Sequence, residues 1–539
     1  MLKGKLLNAV EIIIIVGIAT FPLLLSFPFR VNIFLSWEGA YRMSEGQVPF
    51  RDFGIPLGGM YWVVPALFFK IFGAQLITLV KAQAFINIIS GLAFRYILLT
   101  LSVNPIVRVA SVLLYAITFS FFNFWPWYNH SAIVYGLIAT AFVIHAILRG
   151  QGRKKIFSVL MGALFVFLSF FTKQDGGGLF FFLCVLLLLY DGWVDNNWKI
   201  PLFFVGGIGF LFGIILTWFS SYDFSYWFNH GQPPHNSRVS VTDILNELLS
   251  ESQWIKFYLL VILLIVIVRI RQVSSFFRQK NEVVFVLLTL GILGLAAIFQ
   301  ITSYTPVMSN IFFHSFAFAF IFHYLFHYLN IEPSRKFMLA FLCCGIMIWW
   351  SHMYWGYVQR VFIRKDTAEG EIAYSKSGEN IVSLHNARLK SKKKEDGNKQ
   401  EKWLNSDLKT LKRIKLPEST IHGINRFLEK AREKQEVRVL NMSELTFLAK
   451  EVPYTLERGP KFPLWYHLGV GMFNREAKMF EERIATNYYD FVLFEYLPGL
   501  NNFYPFRVRD SLQVHYDLID EFAAPRSSES GTIEVYRRK

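Results

Sequence analysis

Long apolar stretches recur along this chain up to about residue 356, and they restrict what it can fold into. Most of them approach the roughly 20 residues that a helix needs to cross a bilayer. Of the 539 residues, 53% are hydrophobic and 17% are charged, whereas soluble domains average about 25% charged residues. The sequence therefore predicts a mostly α, polytopic helix bundle in a membrane. The apolar runs are roughly 8–29, 54–73, 76–100, 106–124, 131–149, 156–172, 177–190, 200–220, 254–270, 282–302, 307–329 and 337–356.

Basic residues between the runs predict the orientation, because short cytoplasmic loops are rich in Lys and Arg. The N-terminus (MLKGK) and the loops 149–155, 269–280 and 333–336 carry such residues. All four lie on one side if one run does not cross. The run 54–73 is our choice, because its two prolines and four glycines suit an interfacial or re-entrant segment. We therefore expect about eleven spanning helices, the first of them uncleaved.

Composition changes after about residue 356, where the chain becomes polar and charged. We predict a multi-pass transmembrane domain over 1–356 and a soluble extracytoplasmic α/β domain over 357–539, which is long enough to bury its own core. Arg360, Arg364 and Lys365 argue for the opposite side but are outnumbered by the other basic loops. Residue patterns in the soluble part predict a helix at 416–434 and strands at 437–442, 489–496 and 532–538.

Charge and cysteine content exclude several classes of protein. The net charge of +16 is assigned largely to loops that meet anionic lipid, so membrane lipids and not nucleic acid are the expected partners. Cys184, Cys343 and Cys344 lie in apolar runs and support neither a disulfide framework nor a zinc site. The chain also has no nucleophile elbow, no phosphate-binding P-loop and no dinucleotide-binding fingerprint.

The predicted orientation places the opening loop, residues 30–53, on the outer face of the membrane. In this loop Glu38, Arg42 and Glu45 share one helical face, and the pair Arg51–Asp52 follows. One interpretation is an exposed helix with Glu–Arg pairing worth a few tenths of a kcal/mol. The other is a carboxylate held at the membrane surface as a general base.

The segment TKQDGGG (172–178) lies at a helix boundary on the same face. Lys173, Gln174 and Asp175 are polar residues at the edge of the hydrocarbon, where charge is costly and often functional. The glycines that follow allow close approach of the backbone. A snorkelling lysine at a helix end is the structural interpretation. Phosphate binding is the functional one, since an ammonium group suits a phosphate oxygen.

Further polar residues on the outer face are candidates for ligand contacts. Asn129 and His130 end the sequence WPWYNH, and His314 lies just inside a later apolar run. Each is either a substrate contact or a helix-packing group. The histidines of the loop 221–253 are likewise either ligand contacts or ordinary polar loop residues. These residues have no fixed spacing of metal ligands, so a divalent cation is an option without a specific signal.

Two motifs of the opening loop give the chain a resemblance to a known family. Glu38–Tyr41 (EGAY), Glu45–Phe53 (EGQVPFRDF), Lys70–Gly73 (KIFG) and Lys173–Asp175 (KQD) resemble motifs of the GT-C membrane glycosyltransferases. The nearest kin are the protein O-mannosyltransferase-like and aminoarabinose-transferase-like enzymes, including the bacterial lipopolysaccharide-core type. The likeness is specific over about 40 residues from Ser36. It departs at Trp37, where the family usually carries Asp.

The resemblance implies an inverting transfer of a sugar from a polyprenyl-phosphate donor to an acceptor hydroxyl on a glycan, lipid or protein. Glu38 is then the expected general base, with Asp52 as second choice. Arg51, Lys173 and Gln174 are expected to bind the donor phosphate. Asn129, His130, Asp175 and His314 are the expected substrate contacts. The expected location is a bacterial inner or plasma membrane, with the site and the C-terminal domain outside the cytoplasm.

Three other functions compete with this one. A transporter or flippase of lipid-linked saccharide needs polar residues deep within its helices, which this sequence largely lacks. A polysaccharide polymerase or ligase is expected to rely more on Arg and His in a long outer loop, and the loop 221–253 has only some of these. A non-enzymatic scaffold gives no reason for the cluster Glu38–Asp52.

Overall fold

The chain forms two compact units, which are described separately. A computed structural model describes residues 2–30, 32–120, 123–228, 241–246, 249, 253–270, 276–303, 312–328, 344–345, 402–433, 435–452, 454–464, 473–497, 504–525 and 531–539. The first unit comprises Met1–Pro22, Ala84–Thr217 and Arg238–Ile363. The second unit comprises Leu23–Gln83, Trp218–Ser237 and Arg364–Lys539.

Helices make up most of the described chain, and the strands lie mainly near its C-terminal end. The helices are α1 Leu2–Thr20, α2 Ile33–Ser44, α3 Val63–Phe72, α4 Leu76–Thr100, α5 Pro105–Tyr115, α6 Tyr128–Leu148, α7 Gly152–Phe170, α8 Gln174–Asp195, α9 Lys199–Phe219, α10 Val241–Asn246, α11 Gln253–Arg269, α12 Lys280–Ser303, α13 His314–Tyr328, α14 Glu418–Arg432, α15 Phe473–Ala485 and α16 Phe506–His515. The strands are β1 Phe27–Pro28, β2 Trp403–Asn405, β3 Ile414–Pro417, β4 Val439–Met442, β5 Phe491–Tyr496, β6 Tyr516–Ala523 and β7 Thr532–Arg538.

Several helices are long and apolar enough to cross a membrane, as the composition predicts. Within the described residues six segments meet that description: Lys5–Leu24, Leu76–Thr100, Tyr128–Leu148, Gln174–Asp195, Lys199–Phe219 and Lys280–Thr302. The predicted total of about eleven is not confirmed. Helix α7 carries three basic residues in its first turn, and α11 and α13 have only 17 and 15 residues. The predicted run 337–356 lies almost entirely outside the described residues.

Charged pairs gather at one end of the first unit. Lys155 at the start of α7 contacts Asp191 near the end of α8, with Nζ 2.7 Å from Oδ2. Lys280 at the start of α12 contacts the same carboxylate at 2.7 Å and Asp195 at 2.6 Å. The basic loops 149–155 and 269–280 therefore adjoin the same end of the helices, in agreement with the prediction that they share one side.

The run 54–73 does not form a spanning helix. Its α-helical part, α3, has ten residues, and at 1.5 Å per residue it is about 15 Å long, half of the hydrocarbon thickness. Gly73 ends the helix with φ +84°, a conformation that residues other than glycine rarely adopt. The segment is therefore too short to cross, as its prolines and glycines predict.

The second unit contains a four-stranded mixed sheet with strand order β4-β5-β7-β6. Strands β4 and β5 are parallel, whereas β5–β7 and β6–β7 are antiparallel. The predicted helix near 416–434 and three predicted strands are found as α14, β4, β5 and β7, with boundaries shifted by at most two residues. Strand β6 is absent from the prediction, because its burial pattern does not alternate.

Hydrogen bonds within the second unit join the opening loop to the C-terminal part of the chain. Strand β1 pairs in parallel with β3, and the Asn32 N–H donates to Glu444 Oε2 at 2.8 Å. The predicted division into 1–356 and 357–539 thus differs from the observed grouping. A division of the chain by composition cannot foresee this, because a loop between two apolar runs folds with residues about 400 positions later.

Candidate functional site

Helix α2 holds Glu38 and is buried along most of its length. Gly39 follows Glu38, and a Cβ atom built there would lie 2.0 Å from Cε2 of Trp62. The Trp62 indole is fixed in turn by its Nε1–H, which donates to the Leu35 carbonyl at 2.9 Å. Packing therefore explains the glycine that follows Glu38, because only glycine lets Trp62 lie against the helix at this point.

Trp37 is a core residue of the same helix and is fully buried. Its Nε1–H donates to the Ala74 carbonyl at 3.3 Å. Its ring centroid lies 4.7 Å from that of Tyr41 and 6.0 Å from that of Phe69. Trp37 is thus a packing residue, and Glu38 beside it is the carboxylate of the segment Glu38–Tyr41.

Glu38 and Arg42 form a buried ion pair on one face of α2. Arg42 Nε donates to Glu38 Oε1 at 2.8 Å, and the arginine is only 1% exposed. Its Nη1 donates to Gln47 Oε1 at 2.9 Å and to the Glu457 carbonyl at 2.7 Å. The helical face predicted for Glu38 and Arg42 is correct, but it is buried and not exposed. Glu45, the third member, is exposed to solvent.

The environment of Glu38 makes its carboxylate a stronger base than that of an ordinary glutamate. Burial raises the pKa of its carboxyl group, and the charge and hydrogen bond of Arg42 oppose that rise without cancelling it. The side chain retains 12% of its exposure, so the carboxylate is not sealed from the surface. A carboxylate with a raised pKa is a better proton acceptor than an ordinary glutamate.

A cleft of the second unit borders Glu38. Its polar lining comes from Glu38 and from Asn441, Ser443 and Thr446, at the end of β4 and in the turn that follows. Its apolar lining includes Phe462 and Tyr504. The cleft is small, and its lining mixes apolar walls with a few polar groups. The sequence gives no signal for this cleft, since its two sides lie about 400 residues apart in the chain.

Asp52, the second candidate base, holds the opening loop together. Its Oδ2 accepts hydrogen bonds from the Val48 N–H at 2.7 Å and from Arg51 Nη2 at 2.6 Å. Burial alone would raise its pKa, but these bonds and the nearby charges of Arg51 and Arg458 lower it. Its carbonyl accepts from the Gly459 N–H at 2.8 Å. Asp52 is therefore a weaker base than Glu38, with a clear structural role.

The predicted phosphate-binding segment lies in the first unit, where Lys173 precedes α8. Lys173 Nζ is 2.8 Å from Asp175 Oδ2 and lies over the rings of Phe299 and Tyr128, at 5.2 and 5.9 Å from their centroids. The structure thus brings residues from α6, α8 and α12 together at the end opposite the Lys155 cluster. Lys173 already has a carboxylate partner, so an incoming phosphate would have to compete with Asp175.

The glycines of this segment serve the turn between α7 and α8. A Cβ atom at Gly177 would lie 2.0 Å from the backbone Cα of Phe170. The Gly177 N–H donates to the Lys173 carbonyl at 3.0 Å. Close approach of the backbone, which the sequence predicts here, is therefore observed, and it brings two helices of the protein together. Gln174 is half-buried at the first position of α8.

The other predicted contacts, Asn129, His130 and His314, lie in the first unit, where Asn129 and His314 are buried and His130 is half-buried. Asn129 is 5% exposed and His314 is 4% exposed. The ring of His130 contacts Phe119 edge-on at 6.0 Å, and that of His314 contacts Tyr258 at 5.2 Å. Within the described ranges, no group of three His, Cys, Asp or Glu residues could hold a metal ion. The histidines at 230 and 235 lie outside the described residues.

Sequence reasoning missed a second ionic cluster in the second unit. Arg475 bridges two carboxylates, with Nη1 3.1 Å from Asp223 Oδ2 and Nη2 2.9 Å from Glu476 Oε1. Glu476 is 1% exposed, and burial raises its pKa to about 7 although Arg475 opposes the rise. The adjacent Arg-Glu pair at the start of an amphipathic helix is too common a pattern to indicate this arrangement.

The raised pKa of Glu476 predicts a pH dependence of stability. An acid whose pKa is raised in the folded state stabilises that state while it is protonated. The contribution of Glu476 to the free energy of unfolding is therefore complete below about pH 4.5 and is lost as the pH rises to about 7. The full shift corresponds to about 3 kcal/mol. We expect the thermal midpoint of the wild type, relative to that of Glu476→Gln, to fall between pH 5 and pH 8 in detergent solution. A difference that stays constant over this range contradicts the prediction.

Comparison with known proteins assigns no family to this geometry. No protein-family model matches the chain, and no curated protein matches it. The functional argument therefore depends on the residues of the cleft, on the Lys173 segment and on the resemblance of the opening loop.

Proposed function

We propose that this protein is a membrane glycosyltransferase that moves a sugar from a polyprenyl-phosphate donor to an acceptor hydroxyl on the outer face of the membrane. The observation that carries the proposal is the Glu38 carboxylate. It has a raised pKa and borders a cleft with amide and hydroxyl groups on its other side. A hydroxyl nucleophile requires a base that takes its proton, and nearby hydrogen-bonding groups can orient the hydroxyl towards that base.

The reaction is a single displacement at the anomeric carbon. Glu38 takes the proton of the acceptor hydroxyl, whose oxygen bonds to the anomeric carbon as the bond to the phosphate oxygen breaks. The configuration at that carbon inverts, and the bonding electron pair leaves with the polyprenyl phosphate. Arg42 holds the Glu38 carboxylate in place. Arg51 of the same unit is our candidate to stabilise the departing phosphate, since positive charge and donors favour a developing anion.

The bonds within the second unit support one part of the predicted topology. Strand β1, just before the opening loop, pairs with β3 of the C-terminal domain, and the Asn32 N–H within the loop donates to Glu444. The loop and the domain therefore lie on the same side of any membrane that the chain spans. In our proposal that side is extracytoplasmic. The tail then either binds the acceptor or covers the site.

Cysteine accessibility tests this topology. We expect Glu45→Cys and Asp407→Cys, each in a background without the native cysteines, to react with a membrane-impermeant maleimide in intact cells. Both positions are exposed. The control Arg153→Cys, also exposed, should react only after the membrane is opened. Labelling of position 45 without labelling of position 407, or labelling of position 153 in intact cells, contradicts the assignment.

A flippase of lipid-linked saccharide is the main alternative. The described charged clusters of the first unit lie towards helix ends, except that Glu11 is fully buried within α1 and pairs with Arg95 and Arg108 at 2.6 and 2.7 Å. These three charged residues pair with one another, whereas a transport pathway needs polar residues that face a cavity. A polymerase or ligase also remains an alternative, and it shares the lipid-phosphate chemistry.

Reconstitution separates these functions. The purified chain in proteoliposomes is supplied with a panel of radiolabelled polyprenyl-phosphate sugars and with cell-envelope glycans, lipids and proteins as acceptors. We expect label to move covalently onto an acceptor. Movement of the intact labelled lipid between leaflets without covalent transfer would instead establish the flippase. Transfer of preassembled oligosaccharide blocks alone would establish the polymerase or ligase.

A further inference from the structure

One hydroxyl group in the cleft of the second unit has no hydrogen-bond partner among the described residues. The Thr446 side chain is buried, with 7% of the residue exposed, and its Oγ1 is unpaired. Leaving a buried hydroxyl unpaired costs stability. Native structures satisfy most such groups, so an exception needs a reason. In a cleft that borders a candidate catalytic base, a ligand hydroxyl supplies that reason.

The groups beside Thr446 are held in fixed orientations by one another. Ser443 Oγ donates to Asn441 Oδ1 at 2.6 Å, and Asn441 Nδ2 donates to the Leu445 carbonyl at 2.9 Å. The Leu445 N–H donates to Ser443 Oγ at 3.2 Å. Side chains locked by such a network present polar groups at defined positions, as a preorganised binding site requires.

The number and kind of these groups indicate a ligand with several hydroxyls. Glu38, Asn441, Ser443 and Thr446 converge on one small cleft, and together they offer both donors and acceptors. Beyond the bonds that they make with each other, Asn441 Oδ1 and Ser443 Oγ each keep an acceptor lone pair. A ligand with several hydroxyls can therefore bond to more of these groups than a lipid alcohol or a Ser or Thr side chain, which brings only one. The rings of Phe462 and Tyr504 in the same lining supply apolar faces for the carbon skeleton.

We infer that the turn Asn441–Thr446 is the acceptor subsite and that the acceptor is a carbohydrate. This inference rests on the proposed function for the role of Glu38, but the binding of sugar to the turn does not require transfer. The C-terminal part of the second unit then selects the acceptor, while the opening loop supplies the base.

Ligand-detected NMR on the full chain in detergent tests the inference without any donor. Saturation transfer is measured to a panel of methyl glycosides (mannoside, glucoside, galactoside, rhamnoside, arabinoside and N-acetylglucosaminide) and to a Thr-containing hexapeptide. We expect at least one glycoside, and not the peptide, to bind the wild type. Thr446→Val should weaken that binding about three- to tenfold, the effect of one lost hydrogen bond. Thr446→Ser should retain it.

A stability measurement separates a ligand-binding role from a structural one. Because Thr446 Oγ1 has no partner in the described structure, we expect Thr446→Val to leave the thermal midpoint unchanged or to raise it. Weaker glycoside binding together with a lowered midpoint would overturn the inference, as would unchanged binding or binding of the peptide alone. Binding of no glycoside by the wild type would also overturn it.

The two proposals fail in different ways. If glycosides bind in a Thr446-dependent manner but no labelled sugar is ever transferred, the subsite stands and the glycosyltransferase proposal fails. If transfer occurs to a protein or lipid acceptor and glycosides do not bind, the transferase stands and the carbohydrate subsite fails.

Discussion

Glu38→Gln is expected to lower the rate of sugar transfer by roughly 10²- to 10⁴-fold, the range that a general base contributes. The amide keeps the size of the side chain and can still accept a hydrogen bond from Arg42, but it cannot take a proton at neutral pH. It also leaves the buried Arg42 charge without its carboxylate, so the rates are compared on protein whose thermal midpoint shows that it is folded. The measurement is the initial rate of transfer from a labelled polyprenyl-phosphate sugar in proteoliposomes.

The pH profile adds an independent reading of the same residue. A base must be ionised to act, and burial raises the pKa of Glu38. Wild-type activity should therefore fall with decreasing pH at a higher pH than it would for an ordinary glutamate. The residual activity of Glu38→Gln should lack this acidic limb. Glu45→Gln is the matched control, because Glu45 directly follows the same helix but is exposed. Equal losses in both variants contradict the assignment.

Arg42→Met is expected to lower the free energy of unfolding of the second unit by about 3–5 kcal/mol, the cost of removing one partner from a buried ion pair. Methionine fills much of the volume but donates no hydrogen bond. Glu38, Gln47 and the Glu457 carbonyl each lose a donor. We expect a large fall in the thermal midpoint, together with a further rise in the pKa of Glu38.

A double variant tests the reason for this loss. If the cost comes from an uncompensated carboxylate, Glu38→Gln combined with Arg42→Met should recover part of the stability. Arg426→Met is the control, since Arg426 forms an exposed ion pair with Asp520 of a kind that contributes little. A double variant no more stable than Arg42→Met would show that the pair itself is not the source.

Local patterns predicted those parts of the fold that local physics decides. The residue pattern over 416–434 predicted α14, and the prolines and glycines of 54–73 predicted a segment that does not cross. The i, i+4 spacing of Glu38 and Arg42 identified their contact, because a helix brings such residues together whatever surrounds it. The burial of that pair could not be predicted, since residues more than 400 positions later cover it.

The candidate site depends on long-range contacts that no sequence window contains. Strand β1 has two residues, too few to give a period, and only its partner β3 makes it a strand. The unpaired hydroxyl of Thr446 follows from the positions of all its neighbours. The role of Trp37 likewise became clear only when its indole was found against Ala74 and Phe69. Residue spacing predicted the helix that carries Glu38, whereas the opposite wall of the cleft could be found only from the structure.

The central claim is that one carboxylate, Glu38, activates an acceptor hydroxyl that attacks the sugar directly. The most direct measurement is the anomeric configuration of the product, determined by NMR after transfer from a polyprenyl-phosphate sugar of known configuration. A single displacement predicts complete inversion in the wild type, with slower formation of the same inverted product by Glu38→Gln. A product that retains the donor configuration would require a second nucleophile and would contradict the account.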